Sequence, residues 1–457
     1  MSAPGRRAAG ALVAAAALAA AAAWPMRESP VDPRPNVIVV MTDDQPWDTL
    51  DAMPWLSSEL SRDGSGWTSF PLAFANAPLC CPSRATFLSG RLPRHTGVLH
   101  NEDAIRFDES DTLATRLHDG GYRTGIVGKY LNRYPFDRVP YVPPGWDRAV
   151  IKRNAGNATV YRNFDVVDQG SPVHVVDAYA TDWLAERAVS FVRAASPDRP
   201  FFLLFTPSAP HEPWIPADRH VGTAVDVVLE EAPTVVGALR DAPPWVASRP
   251  LPSAAQRATW IDERRSALET LAAVDEAVHA LVDALGERLE ETVIIVLSDH
   301  GYSFGEHRWG GKKCPYDACV RIPFVVHLPD GNAEPEGGPV SIVDLLPTIL
   351  DLARVPLPAG LDGSSFAGRL GVPGSPTGDG VAFLEWAGDG EIPAWEAVRT
   401  SDLKLIRYAD GTEELHDLGG VLGRPDPFEA DDRAEGVAYR GIREDLRRLL
   451  GRHPGRR

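Results

Sequence analysis

Five short apolar runs, interrupted by almost no polar residue, constrain the fold of this chain more than any other feature. They lie at residues 36–41, 122–127, 201–205, 293–297 and 322–327. Runs of this kind suit strands that are covered on both faces. Helical patterns separate them. In the clearest, Leu268, Leu271, Val274, Val278, Leu281 and Leu285 recur at spacings of three or four and make one helix face. Strand and helix in alternation predict an α/β domain.

The texture changes after about residue 380. Residues 404–408, the turn Asp410-Gly411 and residues 414–418 predict a β-hairpin. Val437, Ile442, Leu446, Leu449 and Leu450 predict a final helix. Pro/Gly-rich stretches at 328–340 and 352–380 precede that change. The expected organisation is a large α/β domain over 34–375 and a small C-terminal α+β domain with antiparallel strands over 376–457.

The first 23 residues read as an export signal. Arg6 and Arg7 are followed by an uncharged, Ala-rich run over 8–23, and Ala21-Ala22-Ala23 supplies a small-residue cleavage site. The run is short and weakly apolar for a spanning helix, so stable membrane insertion is not expected. Both the general and the twin-arginine export routes stay open. Acids outnumber bases 63 to 46, for a formal charge of −17. That excess argues against nucleic-acid binding, which needs a basic footprint. The four cysteines form two clusters, Cys80 with Cys81 and Cys314 with Cys319. Spacing alone leaves a Cys314–Cys319 bridge undecided.

In open α/β sheets, ligands bind beyond the carboxyl ends of the strands. The runs here end in Asp43-Asp44, Lys129 and Asp299-His300. Three carboxylates and an imidazole converging on one point would bind a divalent cation. Each pair alone is more often a turn or a cap.

The decisive segment is Cys80-Cys81-Pro82-Ser83-Arg84, continued to Gly90-Arg91. It resembles the signature of the type I sulfatases of the alkaline phosphatase superfamily, in which the first cysteine is oxidised to formylglycine. The resemblance runs from Asn36 to about Asp432. It includes residues 36–45, Gly128-Lys129-Tyr130-Leu131-Asn132, Ala209-Pro210-His211-Glu212-Pro213-Trp214 and Ser298-Asp299-His300-Gly301. It also takes in Trp309-Gly310-Gly311-Lys312 with Tyr316, Arg321 and Pro323, and Leu415-His416-Asp417-Leu418. The Gly-Lys-Tyr-Leu-Asn form is most similar to the N-acetylglucosamine-6-sulfatase branch.

The resemblance implies a large, mixed, mostly parallel sheet flanked by helices. It also implies hydrolysis of sulfate monoesters, sulfated sugars among them. Formylglycine takes up water to become a geminal diol. One hydroxyl attacks sulfur, and the second later loses its proton to expel sulfate and restore the aldehyde. Cys80 is then the nucleophile's precursor and needs a formylglycine-generating enzyme as a maturation partner. Asp43, Asp44, the modified Cys80, Asp299 and His300 would hold the cation. Three carboxylates favour a hard ion, Ca²⁺ first, with Mn²⁺ or Mg²⁺ as alternatives, and the imidazole shifts the preference toward Mn²⁺ or Zn²⁺. Arg84 would hydrogen-bond the diol. Lys129 and Lys312 would clamp the sulfate oxygens, with Lys313 the adjacent rival of Lys312. His211 would protonate the leaving oxygen.

Two departures matter, and the first is His300, which stands where many members have Asn. The second lies two positions after Lys129, where many sulfatases carry a histidine and here the residue is Leu131. His95, His100, His307 and Asn132 are the candidates to replace it. The rival readings are a phosphodiesterase or phosphonate monoester hydrolase of the same superfamily and a sulfated-glycan-binding protein without catalysis. Residues 135–180 and 212–260 read as variable pocket loops, with Trp214 and Trp245 either stacking on a sugar or packing.

Overall fold

A computed structural model of the chain describes Asp32 and residues 34–452, apart from 133, 135–139, 154–159, 227–232, 238, 240, 330 and 332. The expected leader at 1–23 therefore lies outside the described residues.

The apolar runs become the centre of a nine-stranded sheet. In chain order its strands are β1 (Asn36–Thr42), β2 (Trp67–Ser69), β3 (Arg123–Gly128), β4 (Arg148–Lys152), β5 (Arg162–Asp168), β6 (Ser171–Tyr179), β7 (Phe201–Thr206), β8 (Thr292–Ser298) and β9 (Phe324–His327). Across the sheet the order is β2-β9-β8-β1-β7-β3-β4-β5-β6. The middle, from β8 to β4, is parallel. The flanking strands pair antiparallel.

Two helical layers cover the sheet. Val37, Val39 and Met41 of β1 face the helices Cys80–Ser89, Leu113–Asp119 and Leu345–Leu352. Ile38 and Val40 face the helices Ala180–Arg193 and Ala254–Leu285. All six residues of the predicted helix face, from Leu268 to Leu285, are buried in this second layer. Each aliphatic side chain so buried contributes about 1.5–3 kcal/mol before chain entropy is subtracted. Burial on both faces explains why these strands carry no polar alternation.

The C-terminal residues form a separate antiparallel sheet of β10 (Ala382–Trp386), β11 (Trp395–Arg399), β12 (Leu403–Tyr408) and β13 (Glu413–Asp417). The predicted hairpin is β12–β13. One face of this sheet, with Val398, Leu405 and Leu415, packs on Leu446 and Leu450 of the helix Arg440–Leu450. The other face, with Leu384, Ala397 and Ile406, packs on Trp309, Tyr316, Cys319 and Val320 of the large domain.

Three expectations need correction. Residues 135–180 are not mainly loop, because β4, β5 and β6 lie there and widen the sheet. Both β5 and β6 keep many exposed residues, so they lack the continuous apolar signal of a doubly covered strand. The helix Ala254–Leu285 begins inside the stretch 212–260 that was read as loop. Val437 is no part of the final helix face: it sits in a 3₁₀ turn before Arg440 and is 78% exposed.

Candidate active site

The sheet register brings the first two motifs together. In β1 and β8, Met41 lies beside Leu297 and Thr42 beside Ser298. Asp43-Asp44 and Asp299-His300 therefore leave parallel neighbours side by side. The Asp43 N–H donates to Ala209 O at 3.2 Å, which ties this end to the segment after β7. Asp44 takes a left-handed backbone, φ +70°, which aspartate tolerates better than most residues.

Lys129 follows β3 through a glycine that has no substitute. Gly128 has φ +123°, and a Cβ there would lie 2.0 Å from the Thr206 carbonyl oxygen. The Lys129 N–H donates to that same oxygen at 2.8 Å.

Cys80 opens the helix Cys80–Ser89, with its N-terminus toward the strand ends. The Ser83 hydroxyl donates to the Asp299 carbonyl at 2.5 Å. Arg84 Nε donates to Asp299 Oδ2 at 2.8 Å, and its Nη1 to the Lys129 carbonyl at 3.0 Å. Lys129 Nζ meets Asp43 Oδ2 at 2.5 Å. Lys312 Nζ lies 2.8 Å from Asp44 Oδ1, 3.3 Å from Cys80 Sγ and 3.2 Å from His211 Nε2. His300 Nε2 lies 3.1 Å from Asp44 Oδ1 and 3.5 Å from Cys80 Sγ. All nine residues singled out in the sequence thus meet at one buried point.

The cluster suits a cation. Ligand atoms of Asp43, Cys80, Asp299 and His300 lie within 4.8 Å of one another, as do those of Asp43, Asp44, Cys80 and His211. Asp43 Oδ1 accepts no hydrogen bond although it is buried. Burial and Asp43 push the Asp299 carboxyl up to about 6, against the opposing charges of Arg84 and His300. The His300 imidazole is raised to about 9: burial opposes its charge, but Asp299 and Asp44 outweigh it. Burial alone would raise the Cys80 thiol, yet Lys129 and Lys312 hold it well below its ordinary 9.0. An anionic group at this position is therefore favoured by its surroundings.

The two adjacent lysines point in different directions. Lys313 turns away, and its Nζ pairs with Asp389 at 2.6 Å. Of the candidates for the missing histidine, the three imidazoles are held elsewhere. His95 pairs with Asp362 at 2.7 Å, His100 Nε2 meets the Gly388 carbonyl at 2.8 Å, and buried His307 stacks on Tyr316 with its Nε2 2.8 Å from the Glu429 carbonyl. Leu131 packs into the core beneath the first helical layer. The Asn132 N–H donates to Cys81 Sγ at 3.0 Å, so the free Cys81 ties this loop to the Cys80 helix. Trp245 packs: its ring stacks on Tyr316 and its indole N–H donates to Tyr408 at 3.1 Å. Cys314 and Cys319 form a disulfide.

Two residues near the cluster were not singled out. Tyr161 donates its hydroxyl to the His211 carbonyl at 2.6 Å. Lys152 ends β4 beside Lys129 and is 2% exposed. Burial and Lys129 push its ammonium down to about 7. The signal that marked Lys129, a cation closing an apolar run, was present at Lys152 too.

Residues 35–355 match the family model "Sulfatase", and residues 305–453 match "N-sulphoglucosamine sulphohydrolase, C-terminal". The chain is 32% identical over 356 residues to the extracellular sulfatase SULF-1 homolog of Drosophila melanogaster, covering 73% of this chain and 31% of that protein. It thus spans about a third of that relative's length. It is 25% identical over 495 residues to the N-acetylglucosamine-6-O-sulfatase of Bacteroides thetaiotaomicron, covering 91% and 86% of the two chains. Its fold matches a structure solved with its substrate D-glucosamine-2-N,6-O-disulfate, with TM-score 0.77, 23% identity and coverage of 92% and 97%.

Proposed function

This chain belongs to the sulfatase family, and from that premise we propose an exported enzyme that hydrolyses sulfate esters of sugars, using formylglycine made from Cys80 and one divalent cation. As a type I sulfatase of the alkaline phosphatase superfamily, it is a sulfuric ester hydrolase. Residues 34–375 form the catalytic domain of this reading and 376–457 the small domain.

One observation carries the proposal. Cys80 sits at a helix N-terminus between two lysines, an imidazole that faces it and a nest of buried carboxylates. A plain thiolate there would form an enzyme-sulfate that is slow to break down, whereas a hydrated aldehyde supplies both the attacking oxygen and a way to release sulfate. Cys80 is fully buried, so its modification precedes folding and needs a formylglycine-generating enzyme acting on the extended chain.

Asp43, Asp44, Asp299, His300 and residue 80 would hold the cation, and the orphaned Asp43 Oδ1 supports that fit. When bound, the cation lowers the pKa of the nucleophile and offsets the acids. Three carboxylates favour Ca²⁺. Arg84 holds Asp299 and the Lys129 carbonyl, which fixes the two sides of the site. Lys129 and Lys312 hold the sulfate oxygens on which charge gathers. The His211 Nδ1 lies 2.8 Å from the Glu212 carbonyl, so its Nε2 faces the site and serves the leaving oxygen.

The curated relative named for N-acetylglucosamine 6-O-sulfate and the match to a glucosamine disulfate complex support a sulfated amino sugar as substrate. Among the described residues no helix is long and apolar enough to cross a membrane. Mass spectrometry of the peptide across residue 80, followed by turnover of glucosamine 6-sulfate, tests the proposal. Formylglycine in active protein is expected. Full activity with only a thiol at residue 80 would overturn it, and Cys80→Ala should abolish turnover while leaving the fold intact.

A further inference from the structure

Lys312 reaches Asp44, Cys80 and His211 from a segment with little regular structure of its own. What holds that segment is a set of hydrogen bonds to the two peptides that follow Lys312. Trp309 Nε1 donates to the Lys312 carbonyl at 2.8 Å. The Lys313 N–H donates to the Pro78 carbonyl at 3.2 Å, two residues before Cys80. Trp395 Nε1 donates to the Lys313 carbonyl at 2.9 Å. Lys313 itself has φ +80°. A left-handed backbone is unfavourable for a non-glycine residue, so it stays there only where its surroundings enforce it.

Two of those three donors belong to the large domain. Trp395 does not: it opens β11 of the small sheet and is 3% exposed. The small sheet also grips the following residues. Lys313 Nζ pairs with Asp389, Tyr316 donates its hydroxyl to Glu414 at 3.1 Å, and Lys404 bridges Asp317 at 2.9 Å and Glu429 at 2.6 Å. Of these small-sheet contacts, Trp395 is the one that bonds the backbone, at the carbonyl of Lys313, one peptide beyond that which joins Lys312 to Lys313.

We infer that Trp395 is a positioning residue for catalysis: the small domain sets the place of the Lys312 ammonium through the Lys313 carbonyl. The inference rests on Lys312 acting on the sulfate as proposed above. It makes the C-terminal sheet part of the catalytic apparatus, although none of the proposed catalytic side chains comes from it.

Trp395→Phe keeps an aromatic ring in the cluster with Trp309, Cys314 and Tyr316 and removes the N–H together with part of the indole. The test is a double-mutant cycle with Lys312→Ala, reading kcat and KM for whichever of glucosamine 6-sulfate and nitrophenyl sulfate the parent turns over faster. Formylglycine occupancy and bound cation are measured in every protein. In the parent, Trp395→Phe should lower kcat about 3- to 10-fold, what one hydrogen bond commonly carries, with KM changed less. In the Lys312→Ala background it should change nothing further. Trp395→Met, which fills space and carries no hydrogen-bond donor, serves as a second variant should the first fold poorly. An equal loss in both backgrounds would mean that Trp395 is merely structural and would overturn the inference, as would no loss in the parent. A Lys312→Ala protein with full turnover would instead overturn the proposed role of Lys312, and this inference with it.

Discussion

Replacing His211 with alanine should divide substrates by their leaving groups. The Nδ1–H is committed to the Glu212 carbonyl at 2.8 Å, and the His211 carbonyl accepts the Tyr161 hydroxyl at 2.6 Å. The ring is therefore fixed with Nε2 toward the site, 3.2 Å from Lys312 Nζ and 3.7 Å from Asp44 Oδ2. Burial and Lys312 disfavour the imidazolium, but Asp44 and Asp43 outweigh them and raise its pKa above the ordinary 6.5. Nε2 can thus carry a proton to a departing oxygen near neutral pH. Among the described residues His300 faces Cys80 from the carboxylate side, and the other candidate imidazoles, His95, His100 and His307, are engaged elsewhere, while Leu131 is in the core. General acid catalysis contributes about 10²–10⁴-fold, which is roughly 3–5 kcal/mol of barrier. His211→Ala should lose about that factor in kcat/KM on a sugar sulfate, whose alkoxide needs the proton. It should lose less than about tenfold on nitrophenyl sulfate, whose phenolate leaves without one. The assay is kcat/KM for both substrates in both proteins, at matched cation content and formylglycine occupancy. Equal losses would refute the reasoning and assign His211 to sulfate binding.

Chelation should abolish turnover and lower the unfolding temperature, because Asp43, Asp44 and Asp299 are all buried in one cluster; undiminished turnover in protein shown to be metal-free would contradict this. The buried ion triad around Lys404 gives a stability prediction. Lys404→Met leaves Asp317 and Glu429 without their shared cation and should cost about 3–5 kcal/mol in urea unfolding at neutral pH, and a loss under about 1 kcal/mol would count against it. His416, buried between Glu414 and Asp426 at 3.5 Å from each, has its imidazole raised to about 10 by those acids against the effect of burial. A raised pKa stabilises the fold fully below about pH 6.5 and loses that effect as pH climbs through about 10. Thermal melts should fall across this alkaline window in the parent and fall less in His416→Gln; parallel curves would refute the assignment.

Most of the site was legible in the sequence for a local reason. Asp43-Asp44, Lys129 and Asp299-His300 each follow an apolar run directly, and a strand buried on both faces delivers the residue after it to the carboxyl edge of the sheet. The Cys80 segment was legible through its motif, and His211 through the Ala-Pro-His-Glu-Pro segment after β7. Lys152 obeyed the same local rule and went unread because its run is short. The strands β5 and β6 went unread because an exposed antiparallel hairpin has no continuous apolar signal.

Sequence by itself determined which chemical groups stand at the strand ends, because side-chain identity and the period of burial are properties of a few consecutive residues. Tertiary structure decided everything that depends on direction and distance between remote segments. Lys312 and Lys313 are adjacent and chemically alike, yet one backbone in the left-handed region sends the first to Asp44 and the second to Asp389. The three spare histidines are indistinguishable from a catalytic one until Asp362, Gly388 and Glu429 are seen to hold them. The Cys314–Cys319 bond, left undecided by spacing, is seen only in the fold, where the two Cα atoms lie 5.6 Å apart. Even the placing of Lys312 is nonlocal, since the Trp395 that holds its neighbour lies 82 residues further along the chain.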